Sequence, residues 1–406
     1  MRFSTSVPTL TIALAASMFA AACGGSDSGG PAATATVSGV VSAAAGAVIE
    51  GASVTIGSAT STTGTDGRFE LRNVPVGSVS IGTGAPGFVP RSESVGLIAG
   101  TNTHDVVLTP AGEWGLRAPL IAPNSELALA ELNGKLYLLG GYPATRQSAS
   151  TVQIYDIASD RWELGPQLPM PNNHGMAVSA NGRIYLIGGQ STADDPSYVD
   201  TVYELDPTTG EWVAKAPMPT ARSAGVAIVH GGRIYVAGGR PPRGNDFAVY
   251  DPATDSWEVL PDLPTQRNHI TGAAINGRIH VVGGREGPGL SPLMTTAHEV
   301  FDPQTRTWTT AAPMLRARSG MNGVMARGCF HVWGGEGPAG MFPDHDFYDP
   351  RTGQWSRLLD MPIPVHGVYG SAFVDGWIWV AGGGTNIGGN HGSLNNQVYR
   401  PAVSCE

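Results

Sequence analysis

Nine polar side chains stand at corresponding points of a repeated sequence unit, and their types suit the binding of an anion, a carboxylate or a sugar. They lie either just before the first apolar stretch of a unit or directly after its Gly-Gly pair: Arg222, Arg267, Arg318, His174, His269, His366, Arg240, Arg285 and Glu336. A guanidinium group binds a carboxylate through two parallel hydrogen bonds, and histidine and glutamate add further hydrogen bonds. We therefore predict a ligand site built from these side chains.

The same residues also have a structural interpretation. An arginine at the corner between two units can bond main-chain carbonyls, and a single histidine at a turn is often only a satisfied polar group. The sequence contains no CxxC, HExxH or GxSxG motif, no Walker-type phosphate loop and no Cys/His cluster with zinc spacing. We therefore assign no catalytic residue, no metal and no cofactor, and leave both interpretations of the nine residues open.

The repeated unit is defined by a tryptophan and a following Gly-Gly pair. Five of the six tryptophans precede their pair by 26 residues and the sixth by 27. The tryptophans are Trp114, Trp162, Trp212, Trp257, Trp308 and Trp355, and the pairs begin at Gly140, Gly188, Gly238, Gly283, Gly334 and Gly382. Between them lie hairpin dipeptides such as Asn133-Gly134 and Asn181-Gly182, which supply the positive φ that a tight turn needs. Repetition at this period predicts the blades of a β-propeller.

The length variation of the units is confined to the connection after each Gly-Gly pair. A closed scaffold tolerates insertions in its loops, and binding residues concentrate there. This pattern indicates where a ligand binds without naming the ligand.

The units resemble the Kelch repeat over about 290 residues. The resemblance rests on the Gly-Gly pairs, the tryptophans, and an aromatic-Asp pair after the third strand: Tyr155-Asp156, Tyr250-Asp251, Phe301-Asp302 and Tyr348-Asp349. It implies a six-bladed Kelch propeller over residues 111–406, in which the Trp and Gly-Gly residues are core. In such propellers the variable loops share one face with the connections between blades, so the nine candidates are expected there.

Two enzymatic relatives of this fold class offer alternatives. A galactose-oxidase-like site needs copper held by two Tyr and two His with a nearby Cys, and no Cys lies near the candidate histidines, so this alternative is disfavoured. Exported sialic-acid mutarotases are six-bladed Kelch propellers with Arg and acidic residues on the loop face. Arg240, Arg285 and Glu336 suit that role, and a mutarotase-like sugar epimerase is our second hypothesis.

Residues 1–23 resemble a bacterial lipoprotein signal peptide. A short apolar stretch follows Arg2 and ends in Ala20-Ala21-Ala22-Cys23, which implies lipidation of Cys23; cleavage before an unmodified Cys23 is the alternative. Residues 24–34 have the Gly/Ser composition of a flexible tether. The chain is therefore expected in the bacterial cell envelope, anchored to an outer or periplasm-facing membrane surface by lipid.

Residues 35–110 predict a small β-sandwich of about seven short strands, because short alternating runs are separated by turn signals. The runs VSGVV, GASVTI and TGTDGRFELRNVPVG resemble the carboxypeptidase regulatory-like domain. That resemblance implies an accessory domain with no catalytic residues.

The ends of the propeller sequence suggest how the ring closes. Gly382-Gly383 is followed by a third strand but by no tryptophan, so we expect Glu113-Trp114-Gly115 to supply the missing outer strand. Cys329 and Cys405 are expected on the face opposite the variable loops, where they are candidates for a disulfide.

The formal net charge of −9 argues against a nucleic-acid partner. We therefore predict an exported module that binds a protein or a glycan, with an anionic ligand favoured by the converging arginines.

Overall fold

The computed structural model describes residues 33–406 except 45, 144, 195, 241, 288–292 and 390. Every element in these residues is a strand, which confirms the predicted all-β class. None of the described residues forms a helix long and apolar enough to span a membrane. The predicted signal peptide, Cys23 and nearly all of the predicted tether lie outside the described residues.

The first domain is a two-sheet sandwich. Its strands are β1 (Thr34–Ala43), β2 (Ser53–Ile56), β3 (Ala59–Thr62), β4 (Arg68–Pro75), β5 (Gly77–Gly84), β6 (Arg91–Leu97), β7 (Gly100–Thr103) and β8 (Val106–Leu108). One sheet has the order β4-β1-β7, with β8 also paired to β1, and the other has the order β3-β2-β5-β6. Side chains such as Val37, Val54 and Phe69 alternate into the core between them. There are eight strands rather than about seven, and β1 begins at Thr34, inside the segment predicted as tether.

The remaining strands form the second domain. The first of them are β9 (Gly112–Leu116), β10 (Leu127–Leu132), β11 (Lys135–Leu139), β12 (Val152–Asp156), β13 (Arg161–Leu164), β14 (Met176–Ala180), β15 (Arg183–Ile187), β16 (Val202–Asp206), β17 (Glu211–Lys215), β18 (Val226–His230), β19 (Arg233–Ala237), β20 (Phe247–Asp251) and β21 (Ser256–Val259). Then follow β22 (Thr271–Ile275), β23 (Arg278–Val282), β24 (His298–Asp302), β25 (Thr307–Thr310), β26 (Asn322–Ala326), β27 (Cys329–Trp333), β28 (Glu336–Gly337), β29 (Gly340–Met341), β30 (His345–Asp349), β31 (Gln354–Arg357), β32 (Val368–Tyr369), β33 (Ala372–Val374), β34 (Trp377–Ala381) and β35 (Asn396–Pro401).

Apart from the β28-β29 hairpin and the short strand β32, these strands form six antiparallel sheets, each with four strands in order from the ring axis outward. We number the sheets as blades 1 to 6 in chain order. The innermost strands of successive blades contact one another, and β32 pairs in parallel with β10, so blade 6 meets blade 1. The last blade has the order β33-β34-β35-β9, with Tyr399 opposite Trp114. The predicted closure by the strand around Trp114 is therefore confirmed, because β9 pairs with β35 as the outer strand of the sixth blade.

The repeated residues hold the blades together, as expected. Trp162 packs on Tyr155 of the third strand at 4.9 Å between ring centroids and donates its indole N–H to the Ala118 carbonyl at 2.8 Å. Gly140, the first residue of a Gly-Gly pair, has φ +62°, and a Cβ there would lie 2.3 Å from the Asn172 carbonyl oxygen of the next blade. Only glycine permits this approach.

The ring has two distinct faces. On one, short bridges such as Ser125–Tyr142 and Asn173–Gln190 join the end of each inter-blade connection to the residue that follows a Gly-Gly pair. This is the loop face, and it brings together the two loop types as predicted. The opposite face carries the tight hairpins, and we call it the hairpin face. There Cys329 and Cys405 form a disulfide with a Cα–Cα distance of 5.0 Å.

Blades 4 and 5 each contain a buried histidine pair between their second and third strands. His280 Nδ1 lies 2.8 Å from His298 Nε2, and His331 Nδ1 lies 3.1 Å from His345 Nε2. The corresponding positions of blades 1 and 2 hold a tyrosine and a valine: Tyr137 with Val152, and Tyr185 with Val202. Burial lowers the pKa of His280 to about 3, of His298 to about 4 and of His331 to about 3, so these side chains are neutral near pH 7.

Candidate functional site

The three corner arginines do not reach the axis of the ring. Arg222 donates to the Asp246 carbonyl at 2.6 Å, and burial lowers its pKa to about 10. Arg267 pairs with Glu299 and donates to the Val281 carbonyl at 3.0 Å.

Arg318 pairs with Asp346 at 2.9 Å and donates to the Val332 carbonyl at 3.2 Å. All three arginines are almost completely buried and bonded within their own blade. Their predicted ligand contact is therefore corrected: the guanidinium groups stabilise the corners of the ring.

Six equivalent residues form a closed belt of main-chain hydrogen bonds around the axis. The six residues, each with a positive φ between 50° and 70°, are Glu126, His174, Ala224, His269, Gly320 and Gly367. From His174 onward each member donates its N–H to the carbonyl of the preceding member. The N–H of Leu127, the neighbour of Glu126, donates to the Gly367 carbonyl and closes the circle. The N···O distances run from 2.7 to 3.1 Å. Left-handed backbone is uncommon for residues other than glycine, so this conformation is a constraint that the ring imposes on Glu126, His174 and His269.

Side chains from all six blades meet beside this belt. We call them the central cluster: Glu126, His174, Arg240, His269, Arg285, Glu336, His366 and Tyr369. Each is at least nine-tenths buried. Six of the nine predicted site residues are therefore brought together, and only the corner arginines lie elsewhere.

Glu126 is a buried carboxylate with three polar neighbours. Its Oε2 accepts the Tyr369 hydroxyl at 2.9 Å and lies 3.0 Å from His174 Nε2, and its Oε1 lies 3.4 Å from His366 Nδ1. Burial acts to raise the pKa of Glu126, but His174, His366 and Tyr369 outweigh it and hold that pKa well below its usual range. The side chain is therefore ionised near pH 7.

Two histidines of the cluster are oriented by the asparagine that precedes each of them. His174 Nδ1 faces the Asn173 amide oxygen, because the Asn173 amide nitrogen donates to the Gln190 and Thr192 carbonyls. His269 Nδ1 likewise faces the Asn268 oxygen at 2.5 Å. For His269 this partner places the ring proton on Nδ1, which leaves Nε2 as an acceptor at the axis. His174 Nε2 lies 3.0 Å from the Glu126 carboxylate, where a proton on Nε2 would complete a hydrogen bond.

Each of these Nε2 atoms meets a guanidinium group. Arg240 Nη2 lies 3.1 Å from His174 Nε2, and Arg285 Nη2 lies 2.8 Å from His269 Nε2. Burial lowers the pKa of His174 and, with the charge of Arg285, lowers the pKa of His269 well below its usual value. The His269 imidazole is therefore neutral near pH 7, and its Nε2 accepts from Arg285. His174 Nε2 lies between the Arg240 guanidinium and the Glu126 carboxylate.

The charges of the central cluster are balanced. Arg285 pairs with Glu336 at 2.7 Å and also donates to the Ser319 hydroxyl at 2.9 Å. The cluster contains two arginines and two carboxylates, so its guanidinium charges are compensated. The argument from converging arginines for an anionic ligand therefore loses its physical basis in the folded protein.

Ligand atoms of Glu126, His174 and His269 lie within 4.8 Å of one another, as three ligands of a metal ion would. A cation between them would have to displace the guanidinium groups of Arg240 and Arg285 from the two imidazole Nε2 atoms and would be repelled by their charge. The arrangement suits proton sharing between Glu126 and His174 better than metal binding.

Glu126 and Tyr369 were not among the sequence candidates. Glu126 lies two residues after Asn124, as His174 lies two after Asn172, so the repeat contained a signal for it. Tyr369 had no such signal, because the inner strand of blade 6 is interrupted into β32 and β33, and the repeat gives no register there.

A separate cavity of about 240 Å³ lies on the hairpin side of the belt. It is lined by inner strands through small residues such as Ala130, Ser179 and Gly272, and Tyr369 borders it.

Comparisons with known proteins agree with this architecture. Residues 119–284 match the KLHDC2/KLHL20/DRC7 Kelch-repeats domain, residues 266–315 match the Kelch motif, and residues 36–109 match the carboxypeptidase regulatory-like domain. The chain therefore carries Kelch repeats behind a carboxypeptidase regulatory-like domain. A propeller of Kelch repeats is, in general, a protein-interaction module.

Two individual proteins illustrate the likeness. The chain is 36% identical over 93 residues to the Kelch-like protein terF of Aspergillus terreus, a match that covers 22% of this chain and 20% of that relative. The solved structure of YjhT is similar with a TM-score of 0.60 and 16% identity, covering 70% of this chain and 96% of YjhT. At that identity the likeness shows the fold alone.

Proposed function

We propose that this protein is an exported, lipid-anchored binding module that takes a protein or glycan ligand at the centre of its loop face. The observation that carries this proposal is the central cluster, in which one or more polar side chains from each of the six blades meet beside loops of varying length. Side chains that converge from separate elements are typical of ligand sites. The anchor rests on the Cys23 sequence pattern, and replacing Cys23 by Ser is expected to release the protein from membranes.

Exposed apolar side chains on the loop face support a macromolecular ligand. Ile387 and Leu394 of blade 6 are 41% and 44% exposed, and Leu293 of blade 4 is 62% exposed. Apolar groups around a polar centre are typical of interaction surfaces.

The test is a screen of glycans and envelope proteins with a soluble form that lacks residues 1–23. Replacing Ile387 and Leu394 by Glu is expected to reduce the affinity for any captured ligand at least tenfold. The matched control replaces Val213 and Val259, which are similarly exposed on outer strands, by Glu. Equal losses from the two pairs, or a loss from the control pair alone, would contradict the placement.

An acid–base enzyme acting on a sugar, such as a mutarotase-like epimerase, is the second candidate. It is favoured by the buried contact of ionised Glu126 with His174 and Tyr369, because perturbed titratable groups gather at catalytic sites. Anomer exchange of labelled sialic acids, followed by NMR, tests it. Acceleration that is lost in Glu126→Gln or Glu336→Gln would support an enzyme, and no acceleration by the wild-type protein would exclude this activity.

A further inference from the structure

A segment of blade 6, Thr385–Gly389, lies over the central cluster. The Asn386 carbonyl accepts the Nε2–H of His366 at 2.8 Å, and the Gly389 carbonyl accepts the Ser125 hydroxyl at 3.1 Å. The Gly388 N–H donates to Glu336 Oε2 at 2.7 Å. We call Thr385–Gly389 the covering segment.

These three contacts with the cluster and its neighbour Ser125 use main-chain groups of the covering segment. The segment presents a carbonyl, an N–H and a second carbonyl in sequence, and the ring supplies two donors and one acceptor to match them. Buried polar groups that lose such partners are costly, so anything that replaces the segment must offer the same groups.

We propose that the covering segment occupies the binding site of a peptide ligand. A protein partner binds by displacing the segment and placing its own main-chain amides against Ser125, Glu336 and His366. This inference rests on the proposed function and chooses a polypeptide over a glycan. A neutral peptide main chain also suits a cluster whose charges are already compensated.

Few contacts besides these three hydrogen bonds hold the covering segment in place, so a ligand can displace it. Asn386, Ile387 and Gly388 are exposed, so little apolar surface holds the segment in place. The segment lies close to the cluster in a conformation that favours glycine. Gly388 and Gly389 have φ of +82° and +74°, and a Cβ at Gly389 would lie 2.9 Å from Glu126 Oε1. When the segment leaves, Glu336 keeps its ion pair with Arg285, so the site stays formed for a ligand.

The decisive variant is Gly388→Pro. Proline lacks the N–H that Glu336 accepts and fixes φ near −65°, which the closed segment cannot adopt. Amide hydrogen exchange is expected to rise at residues 385–389 in this variant. The control Ile387→Ala keeps all three main-chain contacts and is expected to exchange like wild type.

Binding is measured with the segment's own sequence as a free peptide, acetyl-Thr-Asn-Ile-Gly-Gly-amide. In wild type the tethered segment competes with the free peptide at an effective concentration in the millimolar range. The peptide should therefore bind Gly388→Pro with a Kd in or below the millimolar range and wild type at least about twofold more weakly. Adding Ser125→Ala should reduce the binding, since it removes one hydroxyl donor and leaves the fold unchanged.

Three results would overturn the inference: a folded Gly388→Pro protein that does not bind the peptide, unchanged hydrogen exchange at 385–389, or binding of N-acetylglucosamine in place of the peptide. If Gly388→Pro fails to fold, the single variant Ser125→Ala must increase the amide hydrogen-exchange rate at Gly389. An unchanged rate would refute the proposal that the covering segment occupies a peptide site. The proposed function is judged separately, by the Ile387 and Leu394 replacements.

Discussion

Buried polar groups occur in two settings in this ring, and the settings differ in which elements supply the partners. The corner arginines and the histidine pairs find their partners within one blade, as Arg318 does with Asp346. The central cluster instead joins blades, as Arg285 does with Glu336 and as Tyr369 does with Glu126. A polar group satisfied inside one blade supports that blade, whereas groups that meet from six blades define a place where the ring as a whole can act.

The histidine pairs give the largest expected effect within this comparison. Their folded pKa values lie below the unfolded value of about 6.5, so the unfolded chain binds more protons as the pH falls. Their stabilisation is complete above about pH 6.5 and is lost towards pH 4, at up to about 1.4 kcal/mol per pH unit for each histidine. Denaturation midpoints measured from pH 7 to pH 4 check this.

Converting a histidine pair to the tyrosine and valine of blades 1 and 2 isolates that effect. His280→Tyr with His298→Val should flatten the pH dependence and leave ligand binding unchanged. An equally steep profile in this variant would assign the acid sensitivity to other groups.

Arg318→Met tests the corner setting. It leaves the buried carboxylates of Asp344 and Asp346 without this partner, and a loss of about 3–5 kcal/mol in the free energy of unfolding is expected. The control is Arg316→Ala, because Arg316 also contacts Asp344 but is half exposed, and it should cost less than about 1 kcal/mol. Similar losses in urea titrations of the two variants would contradict the distinction.

The Cys329–Cys405 disulfide stabilises the ring without a buried polar group and so lies outside both settings. Replacing Cys329 and Cys405 by Ala should reduce stability by about 2–4 kcal/mol, because the closed loop restricts the unfolded chain. The central cluster lies on the other face, so ligand binding by the folded variant should match wild type. Loss of binding at a temperature where the variant is folded would show coupling between the faces.

Tyr369→Phe tests the central setting, where we expect the smallest loss of stability and the greatest loss of function. Removing one hydroxyl that donates to a carboxylate should cost about 1.5–3 kcal/mol and raise the pKa of Glu126. Comparing thermal unfolding with ligand binding or anomer exchange checks this. A fully functional variant would remove Tyr369 from the site.

The sequence predicted the ring well because its repeat fixes spacing. The distance from Trp114 to Gly140 recurs in four more units and is one residue longer in the sixth, and the missing last tryptophan pointed to closure by the strand around Trp114. Spacing does not give the direction in which a side chain points. Arg240 and Arg222 both stand at matched points of the repeat, yet only Arg240 reaches the axis. Tyr369 lies where the repeat is interrupted, so only the folded ring places it against Glu126.

The pairing of β9 with β35 also sets the order in which the molecule can be completed. β9 (Gly112–Leu116) is synthesised long before its partner strand β35 (Asn396–Pro401). The ring therefore cannot close on an unfinished chain, and a product truncated before residue 396 leaves both β34 and β9 with open edges. Synthesis of residues 396–401 thus distinguishes a closed sixth blade from an aggregation-prone fragment.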